Sequence, residues 1–144
     1  TWFEAKEACE SSGNGATLFS ILNESENLCL KDMIYATAAD SERAPSGVST
    51  AYPWIGLNDL EQQFNWVWTT VSGNDIPATY FNWFDGQDNY YEPDNAMSYT
   101  SGYNHVFTGE QRCVDYYTFW KRWSDQQCDQ VRDSWACGIR DFAQ

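Results

Sequence analysis

Five cysteines constrain this chain more than any other feature of its sequence. They are Cys9, Cys29, Cys113, Cys128 and Cys137. No two of them form a Cys-x-x-Cys pair and the chain has one histidine, His105, which argues against a structural zinc site. Disulfides are the favoured interpretation, and they indicate an oxidising, extracytoplasmic compartment. Because the number is odd, one cysteine has no partner within the chain, and four paired cysteines still allow three arrangements.

The composition narrows the class of protein. A length of 144 residues predicts one domain, residues 1–144. The 8 Trp, 9 Tyr and 8 Phe can fill a core despite the net charge of −13. That acidic balance opposes binding to nucleic-acid phosphates and suits a protein that holds cations. No uninterrupted apolar run is long enough to span a membrane, so we expect no membrane insertion.

Two helices are predicted in the first third of the chain. Apolar residues recur at helical spacing from Trp2 to Ser11, and a Ser/Gly/Asn-rich stretch follows. Asn23, with Glu26 three residues later, is typical of a capping box and marks the start of a second helix. That helix is predicted to end before Ala44-Pro45, and its apolar positions are Leu28, Leu30, Met33, Ile34 and Ala38.

The rest of the chain predicts short strands and one long polar loop. The predicted strands cover residues 54–57, 64–68, 113–117 and 134–139, and the loop covers 72–110. A loop of this length in a compact domain is usually functional or disordered. Helices followed by a small sheet predict an α+β domain. The tryptophans expected in its core are Trp54, Trp66, Trp68, Trp83 and Trp123.

A series of short motifs, in one order and over nearly the whole chain, resembles a known family. The motifs are the segments 2–9 and 16–21, Trp54-Ile55-Gly56-Leu57, Asn82-Trp83, Glu92-Pro93-Asp94-Asn95, Cys113-Val114, Trp123-Ser124-Asp125, Cys128 and Cys137. Together they are similar to the C-type lectin-like domain. The resemblance implies two helices flanking small antiparallel sheets, a long loop of the calcium-binding type and disulfide staples. The family's first strand normally precedes Trp2, so we expect a truncated N-terminus.

The resemblance also implies a disulfide pairing and a location. Cys9 would pair with Cys137 and Cys113 with Cys128, which leaves Cys29 unpaired. A secreted, extracellular protein is expected. Asn23-Glu24-Ser25 is an N-glycosylation sequon, so Asn23 is the predicted glycosylation site of a glycoprotein.

In sugar-binding members of the family, one calcium ion in the long loop binds the protein and two sugar hydroxyls together. Calcium is a hard cation that takes oxygen ligands. The resemblance implies a cis peptide before Pro93, which turns the residues on either side of it toward one ion. The implied metal ligands are Glu92, Asp94, Glu110 and Asp125, and the implied sugar-binding residues are Glu92, Asp94, Asn95 and Asp125.

The sequence departs from the family pattern at this site. Ser124 stands where the family has asparagine, and Gln111 stands where it has the accessory glutamate, so Glu110 is the expected substitute. The Glu92-Pro93-Asp94 motif also follows Trp83 at a greater distance than in the family. At the usual distance lies Gln87-Asp88-Asn89, which resembles the galactose-type motif without its proline. We favour Glu92-Pro93-Asp94 because its proline sets the geometry.

Two functions remain open. The first is a calcium-dependent lectin for mannose-type or galactose-type glycans, weak at each site and strengthened by multivalency in an oligomer. Its tyrosines Tyr90, Tyr91, Tyr99 and Tyr103 would either stack on a sugar ring or pack the loop. The second is a metal-independent module that binds proteins or surfaces. An enzyme is not expected, because no nucleophile signature accompanies His105.

Overall fold

The computed structural model describes residues 1–39, 52–85, 92–93 and 110–140. Its elements, in chain order, are α1 (Trp2–Ser11), β1 (Ala16–Leu18), α2 (Glu24–Ala39), β2 (Trp54–Asn58), β3 (Val67–Trp68), β4 (Ile76–Pro77), β5 (Gln111–Tyr117), β6 (Arg122–Gln127) and β7 (Cys137–Ile139). Strands β1 and β7 form one antiparallel sheet, and the second sheet has the order β4-β3-β2-β5-β6. The predicted α+β class is confirmed.

Helix α1 begins and ends where its periodicity predicts. The Thr1 hydroxyl caps it by accepting a hydrogen bond from the backbone N–H of Glu4 at 3.3 Å. The indole N–H of Trp2 donates to the carbonyl of Ile55 at 2.8 Å, which attaches the helix to β2. The side chains that this helix buries are Trp2, Ala5 and Cys9.

Helix α2 has the predicted cap. The Asn23 side chain accepts from the backbone N–H of Glu26 at 2.9 Å, and the Glu26 carboxylate accepts from the backbone N–H of Leu22 at 3.0 Å. The first bond satisfies a backbone donor that the first helical turn leaves without a partner, and the second holds the residue that precedes the cap.

The buried face of α2 differs in part from the predicted one, since Leu30 and Ile34 pack into the core as predicted. Leu28 and Met33 are exposed, whereas Asn27 and Leu30 are buried. The helix therefore turns a stripe that contains a polar residue toward the sheet. Apolar periodicity alone missed it, because Asn27 is buried through hydrogen bonds and not through hydrophobicity.

The core is rich in tryptophan, as predicted. Trp54, Trp68 and Trp123 are fully buried, Trp66 is nearly so, and Trp83 packs against them while half-buried. The rings of Trp68 and Trp123 meet edge to face, with centroids 5.6 Å apart. This packing joins β3 to β6 across the large sheet.

Two disulfides connect distant parts of the chain. Cys9–Cys137 ties α1 to β7, and Cys113–Cys128 ties β5 to the segment after β6. These are the pairs that the resemblance implied. Cys29 belongs to neither bond and is exposed on α2.

Some strands are shorter than predicted. The strand expected over 64–68 contains only β3, because Phe64 adopts a positive φ of 63° in a turn. The strand expected over 134–139 begins only at Cys137, and β4 lies inside the segment predicted as loop. Within the described ranges, no helix is long and apolar enough to cross a membrane.

Candidate functional site

The candidate site lies where residues 82–84 run beside Trp123, near the start of β6. The backbone N–H of Trp123 donates to the carbonyl of Asn82 at 2.9 Å, and the N–H of Phe84 donates to the carbonyl of Trp123 at 2.8 Å. After residues 86–91, which lie outside the described part, the N–H of Glu92 donates to the carbonyl of Phe84 at 2.9 Å. These bonds hold Glu92 and Pro93 beside β6.

Three oxygen-bearing groups of the site meet at the hydroxyl of Ser124. This hydroxyl is 3.1 Å from the Glu92 carboxylate and 3.4 Å from the backbone carbonyl of Asp125. Glu92 is 7% exposed, while Ser124 and Asp125 are fully buried. The Glu92–Pro93 peptide bond is cis, as the resemblance implied. The fold therefore joins the loop motif to the β6 motif.

A glutamine and a tyrosine hold the Ser124 hydroxyl from the other side. The amide of Gln126 donates to the Ser124 hydroxyl at 3.0 Å and to the Tyr117 hydroxyl at 3.3 Å. Burial is the main cause that raises the pKa of Tyr117, so the phenol stays protonated at neutral pH. The site is thus supported by a buried, neutral hydrogen-bond network.

Glu110, the expected accessory ligand, lies in an ion pair. The guanidinium of Arg112 donates to the Glu110 carboxylate, with a distance of 2.6 Å from Nε. The same guanidinium lies 3.7 Å from the carboxylate of Asp59. The ligand role of Glu110 remains a prediction, and any cation that it bound would compete with Arg112.

The remaining predicted residues are outside the described part of the chain. They are the ligand candidates Asp94 and Asn95, the alternative motif Gln87-Asp88-Asn89, the residues Tyr90, Tyr91, Tyr99 and Tyr103, and His105.

The donors that the structure does describe fit a hard cation in kind. The Glu92 carboxylate, the Ser124 hydroxyl and the Asp125 carbonyl are all oxygen donors of the type that calcium takes. These three donors are fewer than the roughly six to eight oxygens that calcium takes. Among residues 1–39, 52–85, 92–93 and 110–140, no three His, Cys, Asp or Glu side chains are grouped so that they could hold a metal.

Buried charges surround the site. Asp115 on β5 is fully buried and accepts from Nε of Arg132 at 2.9 Å. Burial raises the pKa of Asp115 to about 7, although the nearby Arg132 charge opposes the shift. Burial also raises the pKa of Asp59, and the Asp125 charge adds to the shift of both groups. This end of the molecule therefore concentrates carboxylates that two arginines partly neutralise.

Sequence reasoning missed Asn27, which positions the site from α2. Its side-chain amide donates to the Lys121 carbonyl at 2.9 Å, and its side-chain oxygen accepts from the Trp123 indole at 2.8 Å. The Tyr116 hydroxyl donates to its backbone carbonyl at 2.8 Å. The sequence did contain one signal that Asn27 is buried. Its spacing from Leu30 and Ile34 places all three residues on one face of the helix.

Comparison of the chain with models of known protein families identifies its class. A model of the lectin C-type domain matches residues 1–139, so the chain belongs to the C-type lectin family. Members of this family are binding modules and not enzymes, which agrees with the sequence prediction.

Snake proteins are among its relatives. The C-type lectin lectoxin-Thr1 of Thrasops jacksonii is 27% identical over 142 residues, which are 97% of this chain and 71% of that protein. The C-type lectin BML-2 of Bungarus multicinctus is 26% identical over 133 residues, which are 91% of this chain and 66% of that protein. The chain thus spans about two thirds of the length of these relatives.

Solved structures show the same fold. The carbohydrate-recognition domain of mouse scavenger receptor C-type lectin matches 97% of this chain and 83% of that chain, with a TM-score of 0.60 and 26% identity. A calcium-independent type II antifreeze protein matches 96% of this chain and 78% of that chain, with a TM-score of 0.60 and 21% identity. The second similarity shows the fold alone.

Proposed function

We propose that the chain is a calcium-dependent, carbohydrate-binding lectin domain that acts outside the cell as one unit, residues 1–144. The observation that carries the proposal is the meeting of the Glu92 carboxylate and the Asp125 carbonyl at the Ser124 hydroxyl. Two chain segments 32 residues apart thereby present oxygens at one place. Two disulfides support the extracellular location.

The proposed metal ligands are Glu92, Asp94, Glu110 and Asp125, and the proposed sugar-binding residues are Glu92, Asp94, Asn95 and Asp125. Calcium, when bound, supplies coordination positions for sugar hydroxyl oxygens. The carboxylates of Glu92 and Asp94 accept hydrogen bonds from those hydroxyls but donate none. Asn95 is the proposed donor, because its amide carries two N–H groups.

The proposed sugar is of the mannose or galactose type. Glu92 matches the mannose-type motif of the family, and Asp94 matches the galactose-type motif. Each site binds weakly, so we propose that several sites act together in an oligomer. Asn23, which is exposed at the start of α2, is the proposed glycosylation site.

Specific contacts favour a second candidate function, a metal-independent module that binds proteins or surfaces. Arg112 already neutralises Glu110, and the Ser124 hydroxyl is shorter than the family's amide. A calcium-independent antifreeze protein has the same fold. In this alternative, the side chains of the site stabilise one another and hold no ion.

A calorimetric calcium titration of the metal-stripped protein tests the proposal. We expect saturable binding at roughly millimolar or tighter Kd, as in extracellular calcium modules. Asp125→Asn and Glu92→Gln should each abolish it, because each removes a charged oxygen with little change in shape. Glu7→Gln, which changes an exposed carboxylate on α1, is the matched control.

Retention on mannose-agarose and galactose-agarose extends the test to the sugar. The protein should be retained in calcium and released by a chelator. Near-ultraviolet circular dichroism establishes that each variant is folded. A folded, unmutated protein that binds no calcium would contradict the proposal and favour the metal-independent module.

Glu110→Gln separates the two functions further. If Glu110 is a ligand, this variant weakens calcium binding. If Glu110 only pairs with Arg112, calcium affinity stays unchanged.

A further inference from the structure

Position 124 carries a hydroxyl where the family carries an amide, and the two groups differ in how their hydrogens are held. The two N–H groups of an amide lie in its plane, so their directions follow from the side-chain rotamer. The single hydrogen of a serine hydroxyl rotates and points to whichever acceptor the surroundings offer. Because Ser124 is fully buried, its protein neighbours decide what this hydroxyl does at the site.

The Glu92 carboxylate is the acceptor of the hydroxyl hydrogen. The Ser124 oxygen lies 3.1 Å from Oε1 of Glu92 and 3.4 Å from the backbone carbonyl of Asp125. A carboxylate accepts hydrogen bonds and donates none, and a charged acceptor binds a hydroxyl more strongly than a neutral carbonyl does. The shorter contact is thus also the stronger one, so the hydrogen of Ser124 points to Glu92.

The direction of this bond fixes the orientation of the neighbouring amide. Once Ser124 gives its hydrogen to Glu92, its oxygen can only accept from the group on its other side. That group is the amide of Gln126 at 3.0 Å, and only the amide nitrogen carries hydrogens. If the amide oxygen faced Ser124 instead, two acceptors would meet in a buried place. The hydrogen bonds therefore run in one direction, from Gln126 through Ser124 to Glu92.

Gln126 is itself held in place. Its side chain is 9% exposed, and its amide nitrogen also donates to the Tyr117 hydroxyl at 3.3 Å. The Tyr117 ring meets the rings of Tyr52 and Phe84 edge to face, with centroids 5.0 Å and 5.5 Å away. Because this ring is packed on two sides, its hydroxyl is a fixed acceptor. The amide of Gln126 thus has a defined partner for each of its two hydrogens.

We propose that Gln126 is a positioning residue of the candidate calcium site. It fixes the Ser124 hydroxyl, and this hydroxyl in turn holds the Glu92 carboxylate, so the Ser124–Gln126 pair replaces the single asparagine of the family. The proposal rests on the proposed lectin function. An amide at position 124 needs no partner to orient its hydrogens, whereas a hydroxyl does. Outer partners of this kind keep the oxygens of a metal ligand in the geometry that the ion requires.

A purely structural role of Gln126 is the competing explanation. In that case its bond to Tyr117 ties β6 to β5, and its loss destabilises the hairpin without acting through Ser124. The two roles differ in one respect. The positioning role requires the hydroxyl at position 124, and the structural role does not.

The test is a double-mutant cycle on calcium affinity, measured by calorimetry on the full chain. Gln126→Met keeps the length of the side chain and removes both N–H groups, and Ser124→Ala removes the hydroxyl. Each variant should bind calcium roughly tenfold more weakly or worse, as expected when a metal ligand loses an outer partner. The double variant should bind no more weakly than the weaker single variant, because the two residues act as one unit.

Gln62→Met is the matched control, since Gln62 is exposed in the turn between β2 and β3. It should bind calcium as the unmutated protein does. Ser124→Asn restores the amide of the family, so the addition of Gln126→Met to this variant should leave calcium affinity unchanged. An equal loss in this background would overturn the positioning role and favour the structural one. If Ser124→Asn does not fold, as judged by near-ultraviolet circular dichroism, the cycle with Ser124→Ala decides.

A second measurement tests the hydrogen bonds without the metal. NMR of the metal-free protein measures how fast the side-chain amide hydrogens of Gln126 exchange with solvent. Exchange should be slow in the unmutated protein and faster in Ser124→Ala, because one amide hydrogen loses its acceptor. Equal exchange rates in the two proteins would overturn the bond between Gln126 and Ser124 on which the proposal stands.

The outcomes separate this proposal from the lectin function. If the unmutated protein binds calcium and Gln126→Met binds it equally well, the positioning role is wrong and the lectin function stands. The same conclusion holds if the losses in Ser124→Ala and Gln126→Met add in the double variant. If the unmutated protein binds no calcium, the lectin function fails and the positioning role fails with it.

Discussion

Two ends of this domain are stabilised in different ways. The disulfide-bonded end comprises α1, β1 and β7, and its buried cluster consists of apolar side chains and cysteines, among them Trp2, Ala5, Cys9 and Leu18. The hairpin end comprises residues 82–84, 92–93 and the β5–β6 hairpin, whose base carries the Cys113–Cys128 disulfide next to the first cluster. Its buried polar side chains are Glu92, Gln111, Asp115, Thr118, Ser124, Asp125, Gln126 and Gln127.

The contrast separates stability from binding. Apolar burial and a covalent bond stabilise the first end without needing exact hydrogen bonding. At the hairpin end, each buried polar group must find a partner or lose the solvation it had in water. Burying polar groups at the hairpin end costs solvation free energy, but their hydrogen bonds hold them in defined positions. A ligand site requires polar groups in defined positions.

The largest expected effect is the loss of a disulfide, and the two disulfides should differ in how much free energy of unfolding they contribute. Replacing both Cys9 and Cys137 by serine should lower the free energy of unfolding by about 5 kcal/mol, because that bond closes a 128-residue separation. Replacing Cys113 and Cys128 should lower it by about 3 kcal/mol, since only 15 residues separate them. Urea unfolding measures both, and equal losses would argue against the chain-entropy explanation.

Removing a tryptophan that joins the core to the hairpin end should lower the free energy of unfolding nearly as much. Trp123→Ala removes a buried ring that donates to Asn27, so the free energy of unfolding should fall by about 3–5 kcal/mol. The exposed Trp135→Ala should change it by less than about 0.5 kcal/mol. Similar losses in the two variants, measured by urea unfolding, would disprove the assignment of Trp123 to the core.

The buried charge at the hairpin end predicts a pH dependence. Burial raises the pKa of Asp115 from 3.8 to about 7, so between these values the folded state keeps a proton that the unfolded state has lost. The contribution of Asp115 to stability is therefore present at low pH and is lost as the pH rises through the folded pKa. Asp115→Asn should remove this part of the slope.

Urea unfolding between pH 4 and 7 measures that slope, with Asp133→Asn as the exposed control. The control should follow the unmutated protein. If Asp115→Asn has the same slope as the control, Asp115 does not titrate differently in the folded state.

The smallest expected effect concerns the anchor of the hairpin turn. Asn82→Ala removes the bond to the Lys121 carbonyl and the bond from Arg122, both of which reach solvent in part. The free energy of unfolding should fall by about 1 kcal/mol, while hydrogen exchange of the turn amides should increase. Asn65→Ala, at an exposed turn position, is the control. Unchanged exchange in Asn82→Ala would show that Asn82 does not hold the turn.

Local features were predictable to different degrees. The bounds of α1, the cap at Asn23 and the strand that begins at Trp54 were confirmed because each depends on residues a few positions apart. The buried face of α2 was predicted only in part: Leu30 and Ile34 pack into the core, but the burial of Asn27 depends on partners 89 to 96 residues away. Periodicity carries no information about such partners.

The candidate site was predictable only as a set of residues. The motif around Glu92 and Pro93 and the Ser124-Asp125 pair were visible in the sequence, but their proximity depends on the path of residues 82–84 along β6. The ion pair of Glu110 with Arg112 was missed, although the two residues are close in sequence. Neither residue type signals by itself whether a carboxylate will face a cation or an arginine.

By itself, the sequence determined the α+β class, both helices, the tryptophan core and, through its resemblance to a family, the cysteine pairing. Helical spacing, caps and short motifs are local, so they can be recognised in the sequence without knowledge of the fold. Only the tertiary structure decided that Trp123 is buried while Trp120, three residues earlier, is half exposed. The reason is physical: Asn27 and Asn82 hold the turn between them, and neither is a sequence neighbour of it.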